Sequence, residues 1–168
     1  MKVYIADTET TARFEDQKQP EVIELAYAEV MQLDGSPGFG LGTMFEQRYK
    51  PVQEITLGAM AVHHIIPEDL MDCPPSSNAK LPDDCRFLIG HNIEFDWKAL
   101  GSPPDVKLID TLGMARRVWE NESGHSLGAC IYRLLPKAAA RILLKNSHAA
   151  GIDVKNCFIL LQHFLEIK

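Results

Sequence analysis

The first third of the chain has the pattern of three strands joined by polar segments. Residues 2–7 form an apolar run typical of a buried strand, and EVIELAYAEVMQL (21–33) mixes apolar with small and charged residues. Gly and Pro in residues 34–40 predict a turn, and residues 41–50 provide a third strand. Strands with connections this short pair as an antiparallel meander.

The rest of the chain alternates short strands with helical patterns. RFLIG (86–90) and VKLID (106–110) are apolar runs that suit central strands. The residues 67–84 are rich in Pro, Ser and Asp, which predicts a flexible connection. Helices are predicted over residues 55–65, 92–100, 111–119, 125–135, 138–146 and 151–167. This order predicts an α/β fold in which helices flank a mixed five-stranded sheet.

The composition is that of an ordinary globular protein. The 168 residues are 46% hydrophobic and 24% charged, which predicts a single domain over residues 1–168. No stretch is apolar enough to span a bilayer, and the N-terminus lacks a secretory pattern, so we expect a cytoplasmic protein that contacts no membrane. The four cysteines lack metal-binding spacings and are expected to be free thiols.

The net charge argues against nucleic-acid binding by bulk attraction. The chain carries a formal charge of -6, whereas nucleic-acid-binding domains are commonly basic. Bound cations can supply positive charge locally, however. An acidic protein that acts on phosphodiesters therefore needs metal ligands, and the acids of the chain become the residues of interest.

Two carboxylates interrupt the apolar pattern at the end of the first strand. Asp7 and Glu9 are two residues apart, so their side chains leave the same face of the strand about 7 Å apart. A solvated strand end would also explain this pair. Such acids acquire a functional meaning only if other parts of the chain bring further polar groups to the same place.

A third acid begins the last predicted helix. Asp153 shares a helical stripe with Cys157, Leu160 and Phe164, so it heads a face that must pack against the sheet. A carboxylate at such a position is costly unless it is paired, neutralised or bound to a cation. A simple role at the N-terminus of the helix is the alternative.

A fourth acid and a histidine join this set. Asp96 follows an apolar strand and lies four residues after Asn92, and His148 precedes Asp153 by five residues. A single histidine or a single acid at a helix start is more often structural. Together, however, four unpaired carboxylates would repel one another strongly, and oxygen ligands favour Mg²⁺ or Mn²⁺. The combination predicts a metal site where the strands end.

Three motifs in this order resemble the DEDDh exonucleases, the proofreading 3'-5' exonuclease superfamily. DTET (7–10), HNIEFD (91–96) and the pair His148 and Asp153 are similar to its three motifs. Further similar segments are PEVIELA (20–26), YKP (49–51), AMAVHHI (59–65) and ARRVW (115–119). Two positions differ from the family pattern: Glu94 adds an acid, and Gly151 replaces a typical leucine. The resemblance implies an RNase H-like, three-layer fold.

The resemblance also implies an activity, namely stepwise hydrolysis of nucleic acid from its 3' end to nucleoside 5'-monophosphates with two Mg²⁺ or Mn²⁺ ions. Asp7, Glu9 and Asp153 would hold the catalytic metal, with Asp7 also bridging to the second ion. Asp96 would act mostly through bound waters, and His148 would be the general base. The residues expected to contact the terminal nucleotide are Thr8, Thr10, His63 and Asn92.

Alternatives remain for substrate and partner. DNA is favoured over RNA, but an exoribonuclease of the same family is an open alternative because the distinction rests on contacts near the 2'-position. A non-catalytic binding domain on the same fold and a structural protein with accidental motifs are further alternatives. Expected partners are nucleic-acid 3' ends, and a polymerase or a second copy of the chain is a candidate.

Overall fold

A central sheet organises the computed structural model, which describes residues 2–35, 38–146 and 148–167. Six strands form within the described part of the chain. Their bounds are β1 Lys2–Thr10, β2 Val22–Gln32, β3 Phe39–Leu41, β4 Phe45–Arg48, β5 Cys85–Gly90 and β6 Lys107–Asp110. The strand order is β3-β2-β1-β5-β6, with β4 paired to β2 beside β3. Pairing is antiparallel from β1 through β4 and parallel among β1, β5 and β6.

The predicted third strand is divided, so the sheet has six strands rather than five. Leu41 pairs with Val30 and Phe45 pairs with Tyr27, which places three residues opposite two on β2. This extra residue interrupts the ladder as a bulge does. The Gly42 amide still donates a 2.8 Å hydrogen bond to the Glu29 carbonyl, so the two short strands follow β2 as one antiparallel partner.

The remaining elements are helices, whose positions match the predicted segments closely. Their bounds are α1 Leu57–His63, α2 Ile93–Ala99, α3 Thr111–Val118, α4 Leu127–Leu134, α5 Lys137–Leu143 and α6 Ala150–Glu166. Polar side chains cap three of them: Thr56 accepts from the Ala59 amide, Ser126 from the Ala129 amide, and Asp110 from two amides of α3. These are residue types that favour helix N-termini because their oxygens satisfy otherwise free N–H groups.

Alternation along β1 sends its side chains to two different helical layers. Ile5 packs in a cluster with Val154 and Cys157 of α6. Tyr4 and Ala6 instead pack against α2, whose Ile93 belongs to their cluster. The fold therefore has the predicted three layers, with α6 on one face of the mixed sheet and α2 on the other.

The segment 67–84 is built into the fold, which corrects the prediction of a flexible connection. It contains 3₁₀ turns at Pro67–Leu70 and Ser76–Asn78. Leu70 is 1% exposed, and the Ser76 hydroxyl donates a 2.7 Å hydrogen bond to the Val22 carbonyl. The composition of the segment suggested a loop. Composition does not show that a few apolar residues, such as Leu70, anchor the segment.

Two further expectations concern helices and thiols. No helix in the described ranges has the length and apolar character needed to cross a membrane. The cysteines are free, as expected: Cys85, Cys130 and Cys157 are buried and Cys73 is partly exposed. Cys157 lies beneath the polar end of β1, where its sulfur is 3.4 Å from the Thr111 hydroxyl.

Candidate active site

A cavity of about 740 Å³ opens where β1 ends. The end of β1, the following loop, α1, the start of α2 and the segment before α6 form its walls. The structure brings every candidate site residue from the sequence to this one cavity. These lining residues are Asp7, Thr8, Glu9, Thr10, His63, Asn92, Asp96, His148 and Asp153.

The alternation of β1 orients the acids. Asp7 and Glu9 continue the face of β1 that packs against α6, on which Asp153 occupies the first turn. Thr8 lies on the opposite face, toward α2. Its amide and its hydroxyl both donate to Asp96 Oδ1, at 2.9 and 2.7 Å. Strand β1 therefore directs the carboxylates of Asp7 and Glu9 toward α6. Through Thr8 it also fixes the carboxylate of Asp96, which belongs to α2 on the other face of the sheet.

The start of α6 positions Asp153 and His148 together. Asp153 Oδ2 accepts a 3.0 Å hydrogen bond from the His148 amide. His148 has a positive φ of 71°, a conformation that non-glycine residues seldom adopt. Its side chain is exposed, whereas Asp153 is buried. The backbone thus turns sharply at His148 and leaves the imidazole accessible at the mouth of the cavity.

Three of these residues have ligand atoms close enough to share a cation. One ligand atom from each of Glu9, His148 and Asp153 lies within 4.8 Å of the others. Asp7 and Asp96 line the same cavity. Two oxygens and a nitrogen suit Zn²⁺ or Mn²⁺, and a set drawn from the carboxylates alone suits Mg²⁺. The donor set therefore fits a divalent metal ion.

The charges on the acids disfavour their ionised forms when no cation is present. Burial, followed by the charges of Asp153 and Glu24, raises the pKa of Glu9 to about 9. Burial and the neighbouring Asp96 and Glu9 raise the pKa of Asp7 well above its ordinary value. A divalent cation would reverse this repulsion, because opposite charge favours the ionised carboxylate.

The other two acids have opposing influences. Burial raises the pKa of Asp96 to about 7, although the hydrogen bonds from Thr8 act in the other direction. Burial also raises the pKa of Asp153, and the hydrogen bond from the His148 amide opposes that rise. Each of these carboxylates is therefore buried at a cost and oriented by specific donors, as ligands prepared for a cation would be.

His63 contributes a hydrogen-bond donor to the cavity wall. The ring is buried, and its Nδ1 accepts a 3.0 Å hydrogen bond from the Ile65 amide. In the neutral ring the proton must then reside on Nε2, which has no hydrogen-bond partner among the described residues. Burial lowers the pKa of His63, which favours this neutral form, although the nearby backbone of Thr10 acts in the other direction.

The two threonines are already engaged within the protein. The Thr8 hydroxyl donates to Asp96, and the Thr10 hydroxyl donates a 2.7 Å hydrogen bond to the Ala12 carbonyl. Asn92 has a positive φ of 69°, and its backbone amide donates a 2.8 Å hydrogen bond to Asp110 Oδ1. Its side chain is exposed. The residues predicted to contact substrate are therefore held in place by internal hydrogen bonds.

Sequence reasoning missed a buried acid beside this site. Glu24 is 3% exposed and pairs with Glu9 across β1 and β2. Its two oxygens accept from Arg48 Nε at 2.8 Å and from the Ala150 amide at 2.9 Å. The signal was one acid within the apolar run VIELA, but its partners lie far along the chain. Glu24 thus connects β2 to the first residue of α6.

Solved structures share this fold. Exonuclease X in complex with 5'-overhanging duplex DNA matches with a TM-score of 0.64 and 20% identity, over 98% of this chain and 92% of that protein. No protein-family model and no curated protein sequence matches the chain.

Two structures of E. coli exonuclease I match as well. Its zinc-bound complex with single-stranded DNA and its complex with a dT13 oligonucleotide both give a TM-score of 0.69 at 15% identity. They cover 96% and 98% of this chain, which spans about two fifths of exonuclease I (39% and 41%). The chain therefore has the RNase H-like fold of these exonucleases, and the structural relationship predicted from its motifs is confirmed at the level of the fold.

Proposed function

We propose that the chain is a metal-dependent 3'-to-5' exonuclease that hydrolyses DNA from its 3' end to nucleoside 5'-monophosphates. The observation that carries this proposal is the convergence of Asp7, Glu9, Asp96, Asp153 and His148 on one cavity. The neighbours in fold are exonucleases in complex with DNA, which supports the same class of substrate. RNA is the alternative substrate on the same site.

The acids have separate tasks in this proposal. Asp7, Glu9 and Asp153 would hold the catalytic metal, and Asp96 would contribute through bound water. When bound, two divalent ions supply charge stabilisation for the attacking and leaving oxygens of the phosphodiester. Thr8 fixes the Asp96 carboxylate through two hydrogen bonds, so this group is oriented before substrate arrives. Because the acids are buried, their attraction to a bound cation would be stronger than in water.

His148 removes the proton from the attacking water. Its ring is exposed at the cavity mouth, so it can pass the proton on to solvent, and its amide is hydrogen-bonded to Asp153. Imidazole exchanges protons readily near neutral pH. A direct ligand role is the competing interpretation, because His148 also lies within ligand distance of Glu9 and Asp153.

The two roles of His148 are separable by kinetics. Changing His148→Ala should lower kcat by roughly 10²- to 10⁴-fold with little change in KM or in the metal concentration for half-maximal rate, because a general base acts only in the transition state. We would measure all three with a labelled oligonucleotide. A large increase in the metal requirement, with kcat recovered at high metal, would instead make His148 a ligand.

The terminal nucleotide of the nucleic acid also needs hydrogen-bond donors and contacts in the protein. We infer that the Nε2–H of His63 donates to an oxygen of the terminal nucleotide, because this buried donor has no partner among the described residues and lines the cavity. Asn92, exposed at the start of α2, contacts the same nucleotide. Thr8 and Thr10 contribute through their backbone and their hydroxyl oxygens, which retain acceptor capacity.

The decisive experiment supplies 3'- and 5'-labelled DNA and RNA, single- and double-stranded, with Mg²⁺ or with chelator. We expect Mg²⁺-dependent release of 5'-mononucleotides from 3' ends, with DNA preferred. Asp7→Ala should abolish the release without unfolding the protein, and Asp34→Asn, at an exposed turn, should behave as wild type. Release that persists with chelator, or in Asp7→Ala, would contradict the proposal.

A further inference from the structure

A run of cations without any acid precedes His148. Residues 123–152 contain four of the 17 lysines and arginines of the chain and none of its 23 acids. The four are exposed and recur at every fourth residue: Arg133, Lys137, Arg141 and Lys145. In a protein with a net charge of -6, this segment is a pronounced local excess of positive charge.

Three of these cations have no charged partner in the part of the chain that the structure describes. Arg133 forms an ion pair with Glu122, and its guanidinium lies over the Trp119 ring, 5.2 Å from the ring centroid. Lys137, Arg141 and Lys145 form no ion pair or side-chain hydrogen bond with the residues that the structure describes. We refer to these three residues as the basic stripe.

The basic stripe follows the outer side of α5 and the 3₁₀ turn after it. Ala140 of α5 is fully buried, and the Leu144 side chain lies beside Gly128 of α4, so the helix packs on α4. One helical turn, about 6 Å, separates successive cations. Lys145 is three residues from His148, so their Cα atoms are at most about 11 Å apart. The basic stripe therefore leads away from the cavity mouth.

The cavity itself offers little positive charge to a polyanion. Among its described lining residues only Arg13 is a lysine or arginine, and Glu15 and Asp16 add to the acids. Metal ions would compensate the charge at the scissile phosphate but not at the phosphates farther along the strand. Those phosphates need cations outside the cavity, and phosphate contacts by Lys and Arg dominate the affinity of proteins for nucleic acids.

We propose that the basic stripe binds the phosphate backbone of the nucleic-acid strand whose 3' end enters the cavity. This inference rests on the proposed exonuclease function. The stripe spans about 12 Å along α5 and the 3₁₀ turn that follows it, which is room for roughly three to four phosphates at a rise of about 3.4 Å per nucleotide. Its exposed side chains can reach the backbone without losing an ion pair or a hydrogen bond to any residue that the structure describes.

The test compares two triple variants with wild type. Lys137→Gln/Arg141→Gln/Lys145→Gln removes the basic stripe. The control is Lys80→Gln/Arg86→Gln/Lys107→Gln. It removes three exposed cations at or near the starts of β5 and β6, which lie at the opposite end of the parallel strands from the end of β1. Binding is measured with a single-stranded 12-nucleotide DNA in Ca²⁺, over a series of salt concentrations. Chemistry is measured in Mg²⁺ with the p-nitrophenyl ester of thymidine 5'-monophosphate, which is too short to reach the stripe.

We expect the stripe variant to bind the DNA roughly tenfold more weakly, and the slope of log K against log salt to decrease in magnitude by about 2. Hydrolysis of the small ester should remain close to wild type, and the control variant should match wild type in both assays. Equal affinity and slope in the two variants would overturn the inference, as would a wild-type protein that does not bind the DNA. Stripe-dependent binding without any hydrolysis by wild type would overturn the proposed enzyme instead and support the stripe.

Discussion

Single residues of this site combine mutual repulsion with precise orientation. Burial raises the pKa of Asp7 and of Glu9, and the charges of neighbouring acids raise both further, whereas Asp96 and Asp153 accept hydrogen bonds from Thr8 and from the His148 amide. The orienting donors lower the cost of burying each acid only in part. The site therefore stores unfavourable electrostatic energy in the metal-free protein, which a cation would release on binding.

Removing one of these charges should make the unfavourable electrostatic energy measurable as a change in stability. We expect Asp7→Asn to raise the melting temperature of the metal-free protein, because the neutral amide avoids the cost of burying a charge and the repulsion from Asp96 and Glu9, and to reduce the increase that Mg²⁺ produces in wild type. A gain of about 1 kcal/mol would appear as roughly 2–4 °C in a protein of this size. Activity should fall by more than roughly a hundredfold. Thermal melts with chelator and with Mg²⁺ measure the first effect, and a lower metal-free melting temperature would contradict it.

The hydroxyl of Thr8 provides a second prediction. Thr8→Val keeps the volume and the backbone donor but removes the 2.7 Å hydrogen bond to Asp96. We expect about 1 kcal/mol lower stability and a roughly 10- to 100-fold lower metal affinity or activity, as for other residues that orient ligands. Thr8→Ser, which restores the hydroxyl, should recover most of the activity. If Val and Ser behave alike, the hydroxyl does not position Asp96.

Among the secondary structure elements, α6 determines whether the site assembles. Its first residue is bound to Glu24 of β2 through the Ala150 amide, and its second, Gly151, leaves room for Glu46: a Cβ there would lie 2.5 Å from Glu46 Oε2. The carboxylate of Glu24 thereby sets the position of Asp153 in the next residues of the helix.

Glu24 is accordingly predicted to position Asp153 rather than to touch substrate. Glu24→Ala leaves Arg48 and the Ala150 amide without their partner, so we expect a loss of roughly 1–3 kcal/mol and a higher Mg²⁺ concentration for half-maximal rate. Glu29→Ala, on the same strand but paired with Lys2, is the matched control. An unchanged metal requirement in a folded Glu24→Ala protein would limit Glu24 to a structural role.

Features that depend on local periodicity could be predicted from the sequence, whereas features that depend on contacts between distant residues could not. Alternation in β1 and the four-residue spacing in α6 were enough to place Asp7, Glu9 and Asp153, because strand and helix periodicity determine which face a side chain occupies. The bulge that divides β3 from β4 depends on pairing with β2, and the role of Glu24 depends on Arg48 and Ala150. Such contacts arise only in the folded chain and have no local pattern.

For the molecule as a whole, the acids predict a dependence of stability on pH. In the metal-free fold the pKa of Glu9 is about 9 and that of Asp96 about 7, both above their ordinary values. The folded state therefore holds more protons than the unfolded state, and stability falls as the pH rises from about 4 through those values. We expect the melting temperature in chelator to decline between about pH 5 and 9.

Mg²⁺ should raise the melting temperature more at the alkaline end of this range, where the carboxylates ionise, than at the acidic end. Glu9→Gln should flatten the decline in chelator, and Asp34→Asn, at an exposed turn, should retain it. A melting temperature that increases steadily with pH in chelator would show that the acids are not held close together.

The hydrogen bond between Glu24 and the Ala150 amide joins residues 126 positions apart in sequence. A ring of this length closes slowly and only after the intervening strands have found their partners. The rate at which catalytic activity returns after dilution from denaturant would then report the rate of the final step of folding. Spectroscopic helix signals should return earlier than turnover does, and a nascent chain lacking its last helix would be inert however well its first strands had formed.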